Sequence, residues 1–433
     1  MSQEGNSWKS SLRVAARTDV GLRRANNQDS HAIALATSLQ NLKKRGHLFV
    51  VADGMGAHAA GELASRIATD TITLSYSKRL SESVADALQN SVYDAHHQIR
   101  TQGERDEAFH DMGTTVDALV IAPGGAVIAH VGDSRVYRLR NRVFEQLTFD
   151  HSLVWEVRAS GKIPHDKIPN FIPKNVITRS LGPSENLKVD LEGPFYVKVG
   201  DYFLLCSDGL SGQVEDEEIG QILFVLPPEF ATEILINLAN LRGGPDNITA
   251  VAVQVVTPLD ASSPHPPFHQ EKAISGKTFS LLAWICLAFA MLGLLLSGYS
   301  LVTDSQSSIP TIVSAVITLF FGGGFFLLSM RAEPADPDED AETSAAPFGK
   351  GPYVRVDATS NPAFVSKLAT TVHQLRDAAQ GEQWEIHWTE IDHHESLATD
   401  AANAGNFTQA IYHYALTINR MMSELKSQKR RKN

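Results

Sequence analysis

The sequence predicts an α+β protein: a sheet core covered by helices, then two membrane-crossing helices and a small α-helical C-terminal region. Three observations carry this. Strand-length apolar runs alternate with helix-patterned blocks up to Thr257, the layering of a sheet with helices on it. Two long apolar runs follow, Phe279 to Val302 and Ile309 to Met330, with no charged residue in either. Amphipathic helical spacing then returns after Pro362.

At 433 residues the chain is too long for one core and divides into two or three units. Its net charge of −11 argues against nucleic acid as a partner. Cys206 and Cys286 lie in apolar runs without metal-ligand spacing; they suit reduced, structural residues of a cytosolic part. Met1 to Ser11 lacks the basic, apolar, small-residue order of a cleavable signal peptide.

In chain order, a short strand from Val14 leads through a turn into a polar cluster, Arg23-Arg24-Ala25-Asn26-Asn27-Gln28-Asp29. This is either a solvated loop or an arginine aimed at an anion. The apolar run Leu48 to Ala52 then stops on Asp53-Gly54-Met55-Gly56. Alone, Asp-Gly after such a run is a common turn signal. The same grammar recurs where Ala126 to Val131 meets Gly132-Asp133 and where Tyr202 to Cys206 meets Ser207-Asp208-Gly209. It appears reversed where Asp246-Asn247 precedes Ile248 to Val256. Four carboxylates at strand ends repel one another unless a cation neutralises them. An oxygen-only set of donors suits a hard ion such as Mg2+ or Mn2+.

Between these points, Ala59 to Ser75 has helix composition, with Leu63, Ile67 and Ile72 as its apolar side and His58 at its mouth. Ser83 to Asp86 has a capping-box pattern. Val84, Leu88, Val92, Ala95 and Ile99 follow at helical spacing, with Gly103 as a stop. His96 and His97 on this helix are expected at the surface. Strands are expected over Val116 to Ala122, Ala126 to His130 and Val136 to Leu139. The stretch from Asp150 to Gly182, broken by Pro164, Pro169 and Pro173, exceeds an ordinary connection and suggests a flap or a small helical insert.

Beyond residue 257, the prolines at 258, 264, 266 and 267 mark a linker over 258–277. The two apolar runs in 279–330 would each extend about 33–36 Å as helices, enough for a hydrocarbon core of roughly 30 Å. Lys272, Lys277 and Arg331 flank their outer ends, while the short loop between them carries Asp304 and no basic residue. That distribution puts both ends of the hairpin in the cytoplasm. Residues 331–361, acidic from Glu333 to Glu342, read as a disordered linker. In 362–433, Phe364, Leu368, Val372 and Leu375 line one side of a helix. A helix pair over Asp400 to Leu425 follows, either a single tetratricopeptide-like unit or a plain amphipathic hairpin. The tail from Lys426 to Lys432 is basic, and is either solvated or in touch with anionic lipid.

Six motifs, in order over residues 8–257, resemble the metal-dependent protein phosphatase family (type 2C, or PPM) in its bacterial serine/threonine branch. They are Arg24 with Asn27-Gln28-Asp29, Asp53-Gly54-Met55-Gly56-Ala57-His58, Gly113-Thr114-Thr115, Gly132-Asp133-Ser134-Arg135, Ser207-Asp208-Gly209-Leu210, and Asp246-Asn247-Ile248-Thr249. The resemblance implies a two-sheet antiparallel β-sandwich flanked by α-helices (αββα). It implies that Asp53 bridges two Mn2+ or Mg2+ ions and that the Gly54 carbonyl, Asp208 and Asp246 also bind them. Asp133, with Asp208, matches a third, weaker ion. Arg24 matches the residue that grips the phosphate and His58 a candidate general acid, while Gln28, Asp29 and Asn247 occupy supporting positions. Phosphorylated proteins, meaning serine/threonine kinases and their substrates, are the implied partners. Outside the resemblance, the two apolar runs suggest the inner (cytoplasmic) membrane as the place, with the catalytic part and the C-terminal region facing the cytoplasm, and the C-terminal helices are candidates for a protein partner. Two departures stand out: Gln28 where the family often has glutamate, and Ala57 where bacterial members often have glycine. Two rivals are a catalytically inactive scaffold at the membrane and a soluble hydrolase of small phosphoesters. Retention of Asp53, Asp208, Asp246 and Arg24 weighs against the first, the flap and tether against the second.

Overall fold

The computed structural model describes residues 11–56, 59–159, 176–259, 349, 351 and 353–432. The chain opens with β1 (Leu12–Asp19), β2 (Asp29–Ala34), α1 (Leu39–Arg45) and β3 (His47–Met55). Two long helices follow, α2 (Ala60–Lys78) and α3 (Val84–Arg105). Next come β4 (Gly113–Thr114), β5 (Val116–Ala122), β6 (Gly125–Val131), β7 (Arg135–Arg140), β8 (Val143–Gln146) and α4 (Leu153–Ala159). The second half holds β9 (Asp190–Phe195), β10 (Tyr202–Cys206), α5 (Asp208–Ser211), α6 (Asp216–Val225), α7 (Pro228–Leu241) and β11 (Ile248–Val255). Nearest the C-terminus lie β12 (Val354–Asp357), α8 (Pro362–Gly381), α9 (Trp388–Asn403) and α10 (Phe407–Lys432).

The strands form two antiparallel sheets, ordered β1-β11-β10-β7-β8-β12 and β2-β3-β5-β6-β9, with β4 on β3. Alternation along β3 explains the layering. Phe49 and Val51 point between the sheets and meet Phe203, Leu205, Val251 and Val253 of the other sheet. Leu48, Val50 and Ala52 point the other way, onto α2 and α3. The outer face of the first sheet, with Tyr137, Tyr202 and Leu204, packs under α6, α7 and the three C-terminal helices. The expected αββα sandwich is therefore present, with an extra helical layer on one side.

Several expectations need correction. On α2 the sheet-facing residues are Ala60, Ala64, Ala68 and Ile72, while Leu63 and Ile67 are only partly buried beside them. Small side chains let this helix approach β3 closely. On α3, His96 is buried, not at the surface, because positions 92, 95, 96 and 99 form one stripe at helical spacing; His97 is exposed. The same helix runs past Gly103 to Arg105. The stretch 331–361, read as a disordered linker, ends in β12, whose Val354 and Val356 pair with Gln146 and Phe144 of β8. Without it, β8 would be an unpaired sheet edge.

The flap centre at 160–175, Ala57, His58, Cys286, the linker from residue 260 to 277, the apolar runs in 279–330 and the acidic stretch lie outside the described residues. Among the described residues, no helix is long and apolar enough to cross a membrane.

Candidate metal centre

Strand register assembles the acidic cluster. Asp29 opens β2 directly opposite Asp53 near the end of β3. Asp208 opens α5 just after β10, and Asp246 stands two residues before β11, the strand paired with β10. Asp133 occupies the turn from β6 to β7. Gly54 must be glycine here: a Cβ would lie 2.0 Å from the carbonyl oxygen of Gly61, so the turn after Asp53 touches the backbone of α2.

The five carboxylates act on one another electrostatically. Burial, then Asp29, Asp208, Asp246 and Asp133, push the Asp53 carboxyl well above the usual carboxylate range. Burial first, with Asp208 and Asp246 adding, pushes Asp29 up to about 7 despite hydrogen bonds from Thr249 and Ser207. Burial, then Asp208 and Asp150, raises Asp133 to about 7. Asp208 is raised by burial and by Asp246. Among the described residues, no three His, Cys, Asp or Glu side chains form a ready-made ligand cage; the acids feel each other's charge without closing into one. Asp29 Oδ1, Asp133 Oδ1 and Asp208 Oδ1 are nevertheless buried without a hydrogen-bond partner. Buried, unpartnered carboxylate oxygens are costly on their own and fit a hard divalent ion.

Backbone and hydroxyl donors fix the cluster. Asp53 N–H donates to Thr115 Oγ1 at 2.9 Å, and its carbonyl accepts from Thr114 Oγ1 and Thr115 N–H, each at 2.9 Å. Ser207 Oγ donates to Asp29 Oδ2 at 2.7 Å and accepts from Thr249 N–H at 3.0 Å. Asn247 ties the Arg24 loop to β11. Its Nδ2 donates to the Val20 and Asn26 carbonyls at 2.9 Å, and its Oδ1 accepts from Gln28 N–H at 2.7 Å. The Gln28 side chain donates to the Gly56 carbonyl at 3.3 Å, a contact a glutamate could not make. Arg135 forms a two-pronged pair with Asp150, which fastens the root of the flap to the Asp133 turn.

Arg24 stands beside the acids, but its Nη2 donates to Asp246 Oδ2 at 2.7 Å. Its side chain remains 48% exposed, so it is open to an incoming anion. Sequence reasoning missed the work of Thr114, Thr115 and Ser207, although hydroxyl residues beside the acid-bearing turns were a usable signal. It also underrated Asp29, which faces Asp53 directly.

A family model described as "Protein phosphatase 2C" matches residues 23–237. The chain is 34% identical over 249 residues to protein phosphatase PhpP of Streptococcus pneumoniae, covering 56% of this chain and 98% of that one. Among solved structures, Staphylococcus aureus serine/threonine phosphatase Stp1 is similar at 30% identity and a TM-score of 0.50, over 57% of this chain and 96% of that one. The catalytic domain of serine/threonine protein phosphatase PstP, in complex with two manganese ions, is similar at 35% identity and a TM-score of 0.48, over 57% and 99%. The family-model match ends at residue 237, before the C-terminal helices.

Proposed function

The chain belongs to the protein phosphatase 2C family, and on that premise we propose that this metal-dependent protein-serine/threonine phosphatase holds its ions through Asp53, Asp133, Asp208 and Asp246 and grips phosphate with Arg24. Mn2+ or Mg2+ is the cofactor. One observation carries the residue assignment: four further carboxylates raise the Asp53 carboxyl, and three buried oxygens among them lack partners.

When bound, a pair of divalent ions supplies an acidified water and offsets the charge of the reacting phosphate. The rest falls to the chain. Thr114 and Thr115 fix the Asp53 backbone, so its carboxylate stays aimed at the centre. Ser207 orients Asp29 across from it. Arg24, held by Asp246 at rest, is placed to exchange that carboxylate for a phosphate oxygen. Phosphoserine and phosphothreonine proteins are the substrates, with bacterial serine/threonine kinases as the activity opposed. The enzyme is anchored in the cytoplasmic membrane with both flanking regions in the cytoplasm; the two charge-free runs in 279–330 and their basic flanks support this.

Phosphate release from a phosphothreonine peptide tests the site. The full chain, stripped of metal, should be inactive and recover with Mn2+. Asp208→Asn should lower the recovered rate on the order of a hundredfold or more, since even residues behind a ligand contribute 10–100-fold. Full recovery in that variant would refute the assignment.

A further inference from the structure

The C-terminal helices reach the loop that carries Arg24. Asp19 ends β1, and three donors hold its carboxylate. Its Oδ1 accepts from Gly21 N–H at 3.0 Å and from Asn240 Nδ2 of α7 at 3.1 Å. Its Oδ2 accepts from Lys426 Nζ of α10 at 3.2 Å. Burial works to raise the Asp19 carboxyl, yet Lys426 and the neutral donors hold it below its usual range. Lys426 is itself steadied, lying 3.4 Å from Asn237 Oδ1, while Asn237 Nδ2 donates to Asn419 Oδ1 of α10 at 2.9 Å.

The loop beyond Asp19 is tied at its other side to the Gly244–Asn247 turn, where Asn247 holds the Val20 and Asn26 carbonyls. Leu22 is 62% exposed. The N–H groups of Leu22 and Arg23 share the Gly244 carbonyl, at 2.8 and 3.2 Å. Gly21 has φ +77°, and a Cβ there would lie 2.1 Å from the Asp246 carbonyl oxygen. The loop that Asp19 opens is therefore packed directly on the backbone of Asp246, the residue that holds Arg24.

We propose that Lys426 is a positioning residue for phosphate binding: by clamping Asp19, α10 fixes the loop that presents Arg24 at the metal centre. The C-terminal helical layer then takes part in the phosphatase reaction, although it lies outside residues 23–237, which the family model matches. This rests on the reading of Arg24 as the phosphate grip.

The test uses the full chain with Mn2+ and a phosphothreonine peptide. Lys426→Ala should raise KM roughly two- to fivefold, the range expected of a partly exposed ion pair, with kcat and the thermal midpoint retained. Lys426→Arg should return KM to the wild-type value. Arg24→Ala, run alongside, should raise KM further. If Arg24→Ala raises KM and Lys426→Ala does not, the positioning role is overturned and the grip survives. If Arg24→Ala leaves KM unchanged, the grip reading fails and takes this inference with it. A Lys426→Ala variant that loses kcat and thermal stability together would show a merely structural contact and also overturn the proposal.

Discussion

Burial holds His96 neutral. Removal from water, with His97 and Arg100 nearby, pushes it down to about 4, and its Nδ1 accepts from Gly182 N–H at 3.0 Å. In the unfolded chain the same imidazole titrates near 6.5. Between those values the unfolded chain binds a proton that the folded chain refuses. The stability this group contributes is present above about 6.5 and lost as pH falls toward 4. His96→Gln keeps an acceptor for Gly182 and removes the titration. The variant should lose less thermal midpoint than the wild type between pH 7 and pH 5, and equal losses would contradict the buried-neutral assignment. The sequence reading missed this residue: it belongs to the stripe with Val92, Ala95 and Ile99, but its polar side chain masked the period. Gln28 was legible only as a departure. Its contact with the Gly56 carbonyl depends on a turn whose path no local pattern specifies.

At the scale of elements, strands that end on an acid were readable because an apolar run and its breaker sit side by side. β3, β6, β10 and β11 lie where those runs are. β12 was not readable: four residues, Val354–Asp357, exist as a strand only because β8 offers an edge far away in sequence. The two apolar runs at 279–302 and 309–330 are the opposite case, since length and charge-free composition state the expectation without any partner. Separated by a short loop, they should form a hairpin with both ends in the cytoplasm. A reporter active only outside the cytoplasm, fused after residue 257 or after residue 433, should be silent. The same reporter inserted at Ser305 should give signal. Signal from either end fusion would overturn the topology.

Across the whole molecule, the cores and the site draw on the same strands. Helix-facing and sandwich-facing residues alternate along β3, and the strand then delivers Asp53 to the acidic cluster. The sandwich was expected from the resemblance of six motifs; composition alone gave only a sheet covered by helices. The docking of the C-terminal helices, through α10, onto α6 and α7 escaped the sequence, because amphipathic spacing shows that a face is buried and not against what. What the assembled molecule stores at the site is repulsion. Burial and the neighbouring acids raise the Asp29, Asp53, Asp133 and Asp208 carboxyls from their ordinary values, so near neutral pH the metal-free fold is less stable for holding them together. A divalent ion bound only by the folded chain reverses that, by about 2.7 kcal/mol at a hundred times its Kd. The most direct measurement is the thermal midpoint of wild type and Asp53→Asn at pH 7.5, with chelator and then with Mn2+. The expected result is that Mn2+ raises the wild-type midpoint, while Asp53→Asn starts higher without metal and gains little from it. A variant that starts lower and still gains the full Mn2+ shift would contradict the central claim that Asp53 anchors a metal-binding cluster of mutually repelling acids.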